Sequence, residues 1–225
     1  MMNARLLGFF SGFPTRRFTD DVARVLQDFL PVRDSLLFIS CQPDNYAQND
    51  DDSCGMHRMF ALRGMAFRQY RVIDHRTPAE EALGLIRGAD CIFLMGGNAT
   101  VQFALITELG LADALRRSTA VILGVSAGAM NMGRPVVDIY ESTVPYEGLG
   151  LASVTVKAHY PLQDEALVQT ARQVSMTTPL CLMKDESAIF ITPDSITRTG
   201  DIYLMDKGEV TPLTQAQLEQ MRPEG

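Results

Sequence analysis

Apolar residues in this chain gather in runs of strand length separated by stretches with helical spacing: Leu6 to Phe10, Ser35 to Ser40, Tyr70 to Asp74, Cys91 to Met95 and Thr119 to Val125. Runs that are apolar at nearly every position suit strands buried on both faces of a parallel sheet, since a sheet with one wet face alternates. Helices must then cover both faces. The strand-helix rhythm therefore predicts an α/β fold with three layers, αβα, around a mostly parallel, doubly wound sheet. Helix starts are marked by Thr77-Pro78-Ala79-Glu80, with Thr77 placed to cap, and by Thr19 before Asp20 and Asp21. After Gly133 the pattern changes. Short apolar stretches at Val136 to Tyr140, Val154 to Lys157, Leu180 to Met183 and Ala188 to Thr192 alternate with turns and one helix near Asp164 to Val174, which predicts a mixed or antiparallel edge.

No repeat, low-complexity tract or linker divides the sequence, and 225 residues with 46% hydrophobic content suit one α/β domain spanning residues 1–225. A net charge of −7, with no Lys/Arg run longer than a pair, argues against nucleic acid or an anionic membrane as partner. The basic start at Met1 to Arg5 leads into an apolar run too short for a secretory signal and broken by Gly12 and Pro14. Nothing approaches the roughly 20 apolar residues of a membrane span, so a cytoplasmic protein is expected. The four cysteines, Cys41, Cys54, Cys91 and Cys181, form no Cys-x-x-Cys pair and read as reduced thiols. Asn49 to His57 brings acids, a thiol and an imidazole together, but without a metal-ligand spacing. It reads as a solvated acidic loop, and no metal is expected.

Chemistry enters at Gly124-Val125-Ser126-Ala127-Gly128, where an apolar strand runs into Gly-x-Ser-x-Gly and then into small, helix-compatible residues. The string alone is common in ordinary turns. Between a buried strand and a helix it is the setting of a nucleophile elbow, which projects a serine Oγ from the carboxyl edge of a sheet. A second buried strand ends at the same edge in Gly96-Gly97-Asn98, where the amide of Gly97 can pair with that of Ala127 as an oxyanion hole and Asn98 can face substrate. A hydroxyl needs a base, and the chain has three histidines. His159, following a strand downstream of the elbow, is favoured over His75, which precedes the elbow, and His57, in or just after the acidic segment. Three carboxylates are open as its orienting partner, Glu186 ahead of Asp185 and Asp138.

These motifs together resemble the aspartyl dipeptidase (peptidase E) and cyanophycinase family of serine peptidases, built on the class I glutamine amidotransferase-like, flavodoxin-like fold. The resemblance spans most of the chain. It rests on Gly96-Gly97-Asn98, Gly124 to Ala129, Tyr146-Glu147-Gly148-Leu149-Gly150-Leu151 leading to His159, and Asp185-Glu186-Ser187-Ala188. It implies catalysis by Ser126 and His159 with an acid near Glu186, hydrolysing a peptide bond after an N-terminal or side-chain aspartyl unit without metal or organic cofactor; a small peptide or amide is the expected substrate. Where relatives carry Pro-His-Phe this chain has Ala158-His159-Tyr160. Where they carry a Thr-Arg pair or several arginines soon after the histidine, it has the acidic Leu162-Gln163-Asp164-Glu165. Arg134, Lys157 and Arg172 are the nearest bases, the first two taken as substrate-binding candidates, and weaker selectivity for an N-terminal aspartate is expected. A glutaminase-like amidohydrolase or amidotransferase is the alternative, although those enzymes use a thiol at the elbow. A silent binding protein of the same fold is a third reading, and a homodimer is left open.

Overall fold

The first half of the chain alternates strand and helix: β1 (Leu7–Phe10), α1 (Asp20–Phe29), β2 (Ser35–Ile39), α2 (Tyr46–Ala61), β3 (Gln69–Ile73), α3 (Ala79–Gly88), β4 (Cys91–Leu94), α4 (Ala99–Glu108), α5 (Ala112–Arg117), β5 (Val121–Val125) and α6 (Ala127–Met132) in a computed structural model that describes residues 5–221. The second half runs β6 (Val156–Tyr160), α7 (Glu165–Ser175), β7 (Leu180–Lys184), β8 (Ala188–Ile191), β9 (Ile196–Thr199), β10 (Ile202–Asp206), β11 (Glu209–Pro212) and α8 (Gln215–Glu219). Met1 to Ala4, the beginning of the stretch read above against a secretory signal, lie outside the described residues.

β1 to β5 form the parallel part of a seven-stranded sheet ordered β3-β2-β4-β5-β1-β8-β9, with β8 and β9 antiparallel at one edge. Successive residues of one strand feed opposite cores, as the period of two requires. Leu37, Ile39, Ile92 and Leu94 join one apolar cluster; Leu36, Phe38, Cys91 and Phe93 join the other. That two-sided burial is the reason these strands read as unbroken apolar runs. The first cluster takes in α3, α4 and α5 through Ile86, Leu105 and Leu115, the second α1 and α2 through Leu26 and Phe60.

A second, four-stranded sheet, β11-β10-β7-β6, was not anticipated as a separate layer. It shares the first cluster through Val156, Cys181, Met183 and Leu204, and its other face packs on α7 through Ala171 and Val174. Only Asp185, Glu186 and Ser187 separate β7 in the small sheet from β8 in the large one.

Three local expectations are corrected. Val136 to Tyr140 is not a strand: Val136 makes a single bridge to Tyr146, and Val137 and Ile139 are spent on the small cluster beside α7. Thr77 does not cap α3, because its hydroxyl donates to the carbonyl of Val72 while Pro78 holds the cap position. Asn49 to His57 is no loop. Asn45 caps α2 through Gln48 N–H, and the helix turns Asn49, Ser53, Met59 and Phe60 inward, with Asn49 bonded to Ser40 and Asp74. Among the described residues no group of histidine, cysteine and carboxylate side chains is arranged to hold a metal ion. No helix is long and apolar enough to cross a membrane.

Candidate active site

At the end of β5 the backbone turns sharply through Ser126, with φ 51° and ψ −113°, into α6. For a residue with a Cβ this conformation costs about 1–3 kcal/mol and persists only when its surroundings impose it. Two do so here. Ser126 N–H donates to the carbonyl of Phe10 on β1 (2.9 Å), and α6 lies so close to β4 that a Cβ on Gly128 would sit 2.1 Å from the carbonyl oxygen of Leu94. The glycine two residues after the serine is thus what lets the helix return against the sheet with the hydroxyl projecting from its edge.

That hydroxyl meets an imidazole delivered by the second sheet. His159 Nε2 lies 3.0 Å from Ser126 Oγ, and His159 Nδ1 lies 2.7 Å from Asp185 Oδ1. His159 itself has φ 59°, at a break in the β6–β7 register between Lys157 and Tyr160. The pin that holds it there is Ser11, fully buried at the end of β1. Its Oγ accepts the His159 N–H (2.8 Å) and lies 3.0 Å from the carbonyl of Met183 and 3.2 Å from Asp185 Oδ1, so its single proton has two acceptors on the same neighbouring strand and turn. One hydroxyl therefore fixes both the imidazole and the carboxylate relative to β1.

The favoured carboxylate of the sequence reading is displaced by its neighbour. Glu186 sits at φ 66° with its N–H on the carbonyl of Gly12, and its carboxylate accepts from Thr15 Oγ1 (3.1 Å) rather than from the imidazole. In so tight a turn adjacent side chains point to different sides, and Asp185 is the one facing His159. Asp138 is spent elsewhere, its Oδ1 accepting from Tyr140 N–H.

Across β5 from the imidazole, Gly97 follows β4 with φ 140°, and a Cβ there would lie 2.8 Å from that of Cys41. Gln102, fully buried on α4, donates to the carbonyls of Ile39 and Met95 and holds this turn in place. Among the described residues, the N–H groups of Gly97 and Ala127 donate to no protein acceptor. The Cys41 thiol beside them donates to Met95 O, and burial pushes its pKa up, so it is held as a thiol.

The three candidate substrate contacts are occupied by the protein. Asn98 caps α4 through Oδ1 and donates Nδ2 to Glu141; Arg134 pairs with Glu147 at 2.6 Å; Lys157 is buried with its ammonium 3.8 Å from the centre of the Tyr140 ring. Asp164, in the acidic stretch after the histidine, caps α7 through Ala166 N–H.

The family model of peptidase family S51 matches residues 10–199, a span that contains Ser126, His159, Asp185 and the Gly96-Gly97 turn. The chain belongs to peptidase family S51. It is a serine peptidase of the peptidase E type. This S51 peptidase superposes on a peptidase from an acI-B1 actinobacterium with a TM-score of 0.66 at 14% identity, covering 94% of each chain. A putative peptidase E from Listeria monocytogenes also gives a TM-score of 0.66, at 17% identity over 87% of this chain and 98% of the other. Both likenesses bear on the fold, and with the mostly parallel sheet they agree with the flavodoxin-like architecture expected from the sequence. The S51 peptidase is also 34% identical over 158 residues to pyridoxal 5'-phosphate synthase subunit PdxT of Deinococcus radiodurans, spanning 63% of this chain and 73% of that one.

Sequence reasoning missed Ser11 in this S51 peptidase, and its local signal was slight: a small polar residue where an apolar strand ends before glycine.

Proposed function

We propose that this S51 peptidase releases the first residue of short peptides by acyl transfer through Ser126. The observation that carries the reading is the unbroken chain from Ser126 Oγ to His159 Nε2 and from His159 Nδ1 to Asp185, set on a strained elbow. Ser126 Oγ attacks the scissile carbonyl carbon while Nε2 takes its proton; Asp185 holds the tautomer and faces the imidazolium that forms. The N–H groups of Gly97 and Ala127 stabilise the oxyanion. As the tetrahedral adduct collapses, the C–N bond breaks and the imidazolium gives its proton to the leaving amine. Water, deprotonated by His159, then hydrolyses the acyl ester and restores Ser126. None of Asn98, Arg134 and Lys157 is given a substrate contact in this reading, because each already has a partner within the protein.

The test is hydrolysis of a dipeptide panel by the wild type and Ser126→Ala, with a fluorophosphonate probe as a second readout. Turnover by the wild type and labelling at Ser126 are expected, both lost in the variant. Equal turnover by the two proteins would refute the assignment. A second reading, an amide hydrolase serving a synthase partner, is favoured by the likeness to the pyridoxal 5'-phosphate synthase subunit. It requires glutamine hydrolysis at a rate exceeding that of every dipeptide. We place the enzyme in the cytoplasm, since all four cysteines are free thiols, as a reducing compartment keeps them.

A further inference from the structure

A cavity of about 240 Å³ opens beside the elbow, bounded by Gly96 and Val125. These two residues touch the nucleophile: an added Cβ on Gly96 would lie 3.6 Å from Ser126 Cβ, and Val125 precedes it in the chain. The walls are Phe13, Met56, Met59, Phe93 and Met95, drawn from the β1 exit, α2 and the end of β4. Met59, Phe93 and Met95 are buried, so the walls belong to the core beneath the sheet edge and not to a loose surface groove. Thioether side chains adapt to guests of varied shape.

The catalytic geometry decides which part of a substrate faces this cavity. The imidazole must protonate the leaving amine, so the leaving group lies on the side where His159 stands, pinned to Ser11 at the end of β1. β4 flanks β5 on the opposite side from β1. The cavity reaches Ser126 through Gly96, on that β4 side where the acyl residue must lie, and Phe13 from the β1 exit closes another wall. Resting on the peptidase reading above, the geometry points to this cavity as the subsite for the side chain of the residue that donates the scissile carbonyl, and to an apolar side chain of methionine, leucine or phenylalanine size as its occupant. The two charged residues that border it, Arg16 and Asp52, are of opposite sign. A carboxylate entering there would leave water for apolar walls, and the opposed charges of Arg16 and Asp52 give it no net attraction, which disfavours acidic guests.

The helix supplies a way to fill the cavity without disturbing the core. Gly55 borders it, and a Cβ added there meets nothing within 4 Å, while leucine is the better helix former. The experiment measures kcat/KM for dipeptides that differ only in Met, Phe, Ala or Asp at the first position, in the wild type, Gly55→Leu and Arg16→Gln. The expected result is a preference for Met and Phe over Ala of about tenfold or more, with Asp below Ala, and a Met-to-Ala ratio lowered about tenfold in Gly55→Leu. Uniform turnover of all four, or a Met-to-Ala ratio untouched by Gly55→Leu, overturns the subsite while leaving the peptidase reading intact. A preference for Asp that disappears in Arg16→Gln overturns it in favour of a carboxylate clamp. No turnover of any dipeptide overturns the peptidase reading and the subsite with it.

Discussion

Ser126 and His159 both adopt positive φ, yet the chain brings them there by different means. Ser126 ends a strand buried on both faces, and the residues that strain it are sequence neighbours or adjacent strands of one parallel sheet: Phe10, Leu94 and Gly128. His159 stands at a register break in a second sheet, and Ser11, the residue that positions it, is 148 positions away. The elbow is thus specified by a local pattern, while the imidazole and its carboxylate are specified by how two sheets dock. A site assembled in this way concentrates its vulnerability at the few contacts that cross between the layers, of which Ser11 is the most economical.

The comparison breaks most directly at Ser126. Ser126→Ala is expected to lower kcat by about 10⁴-fold or more while thermal unfolding stays near that of the wild type, because only the hydroxyl is removed. Steady-state kinetics with a melting curve checks both. On the docked side, Asp185→Asn should cost about 10³–10⁴-fold in kcat by presenting the wrong hydrogen-bond partner to the imidazole. Glu186→Gln should change it by less than about threefold, because its partner Thr15 lies outside the relay. The reverse order would mean that the turn between β7 and β8 settles differently during catalysis.

Ser11→Ala sharpens the contrast. It leaves Ser126, His159 and Asp185 in place but frees the last two from β1, and kcat should fall by about 10–100-fold with KM little changed. Rescue by Ser11→Thr would show that the hydroxyl rather than the volume matters, and an unchanged kcat with reduced stability would assign Ser11 a purely structural part.

The smallest expected effect tests how the docked half tolerates a buried charge. Burial lowers the Lys157 pKa to about 8, with Asp138 opposing the shift in part. Since the folded value lies below the unfolded one, the folded chain loses this proton first as pH rises. Between about pH 8 and 10.4 the unfolded state then binds more protons, and stability should rise across that window. Thermal melts from pH 7 to 10.5 should show an upward component of a few degrees that is absent in Lys157→Met. A component of equal size in the variant would locate the titration elsewhere.

The βαβ rhythm, the parallel strands and the elbow were legible because each follows from a local rule. Two-sided burial makes a strand apolar throughout, and the turn at Ser126 demands glycine at Gly128. Helix α2 was less legible, since its inward face carries Ser53, whose hydroxyl turns back onto Asp50 O, and Asn49, whose burial is sensible only once Ser40 and Asp74 are in place to bond it. Val136 to Tyr140 failed for the related reason that an apolar run records burial and not pairing. Membership of the peptidase E type and the identity of Ser126 and His159 as the facing pair were available from motif order along the chain.

Which of two adjacent acids meets the imidazole was not available, because Asp185 and Glu186 differ by one position in a turn whose direction is set by the sheets it joins. The sequence by itself determined the alternation of strand and helix in the parallel half and the strained serine, through burial periodicity and backbone sterics that act within a few residues. The tertiary structure alone decided the carboxylate, the role of Ser11 and the apolar cavity beside Gly96, because each depends on where elements far apart in the chain come to rest against one another.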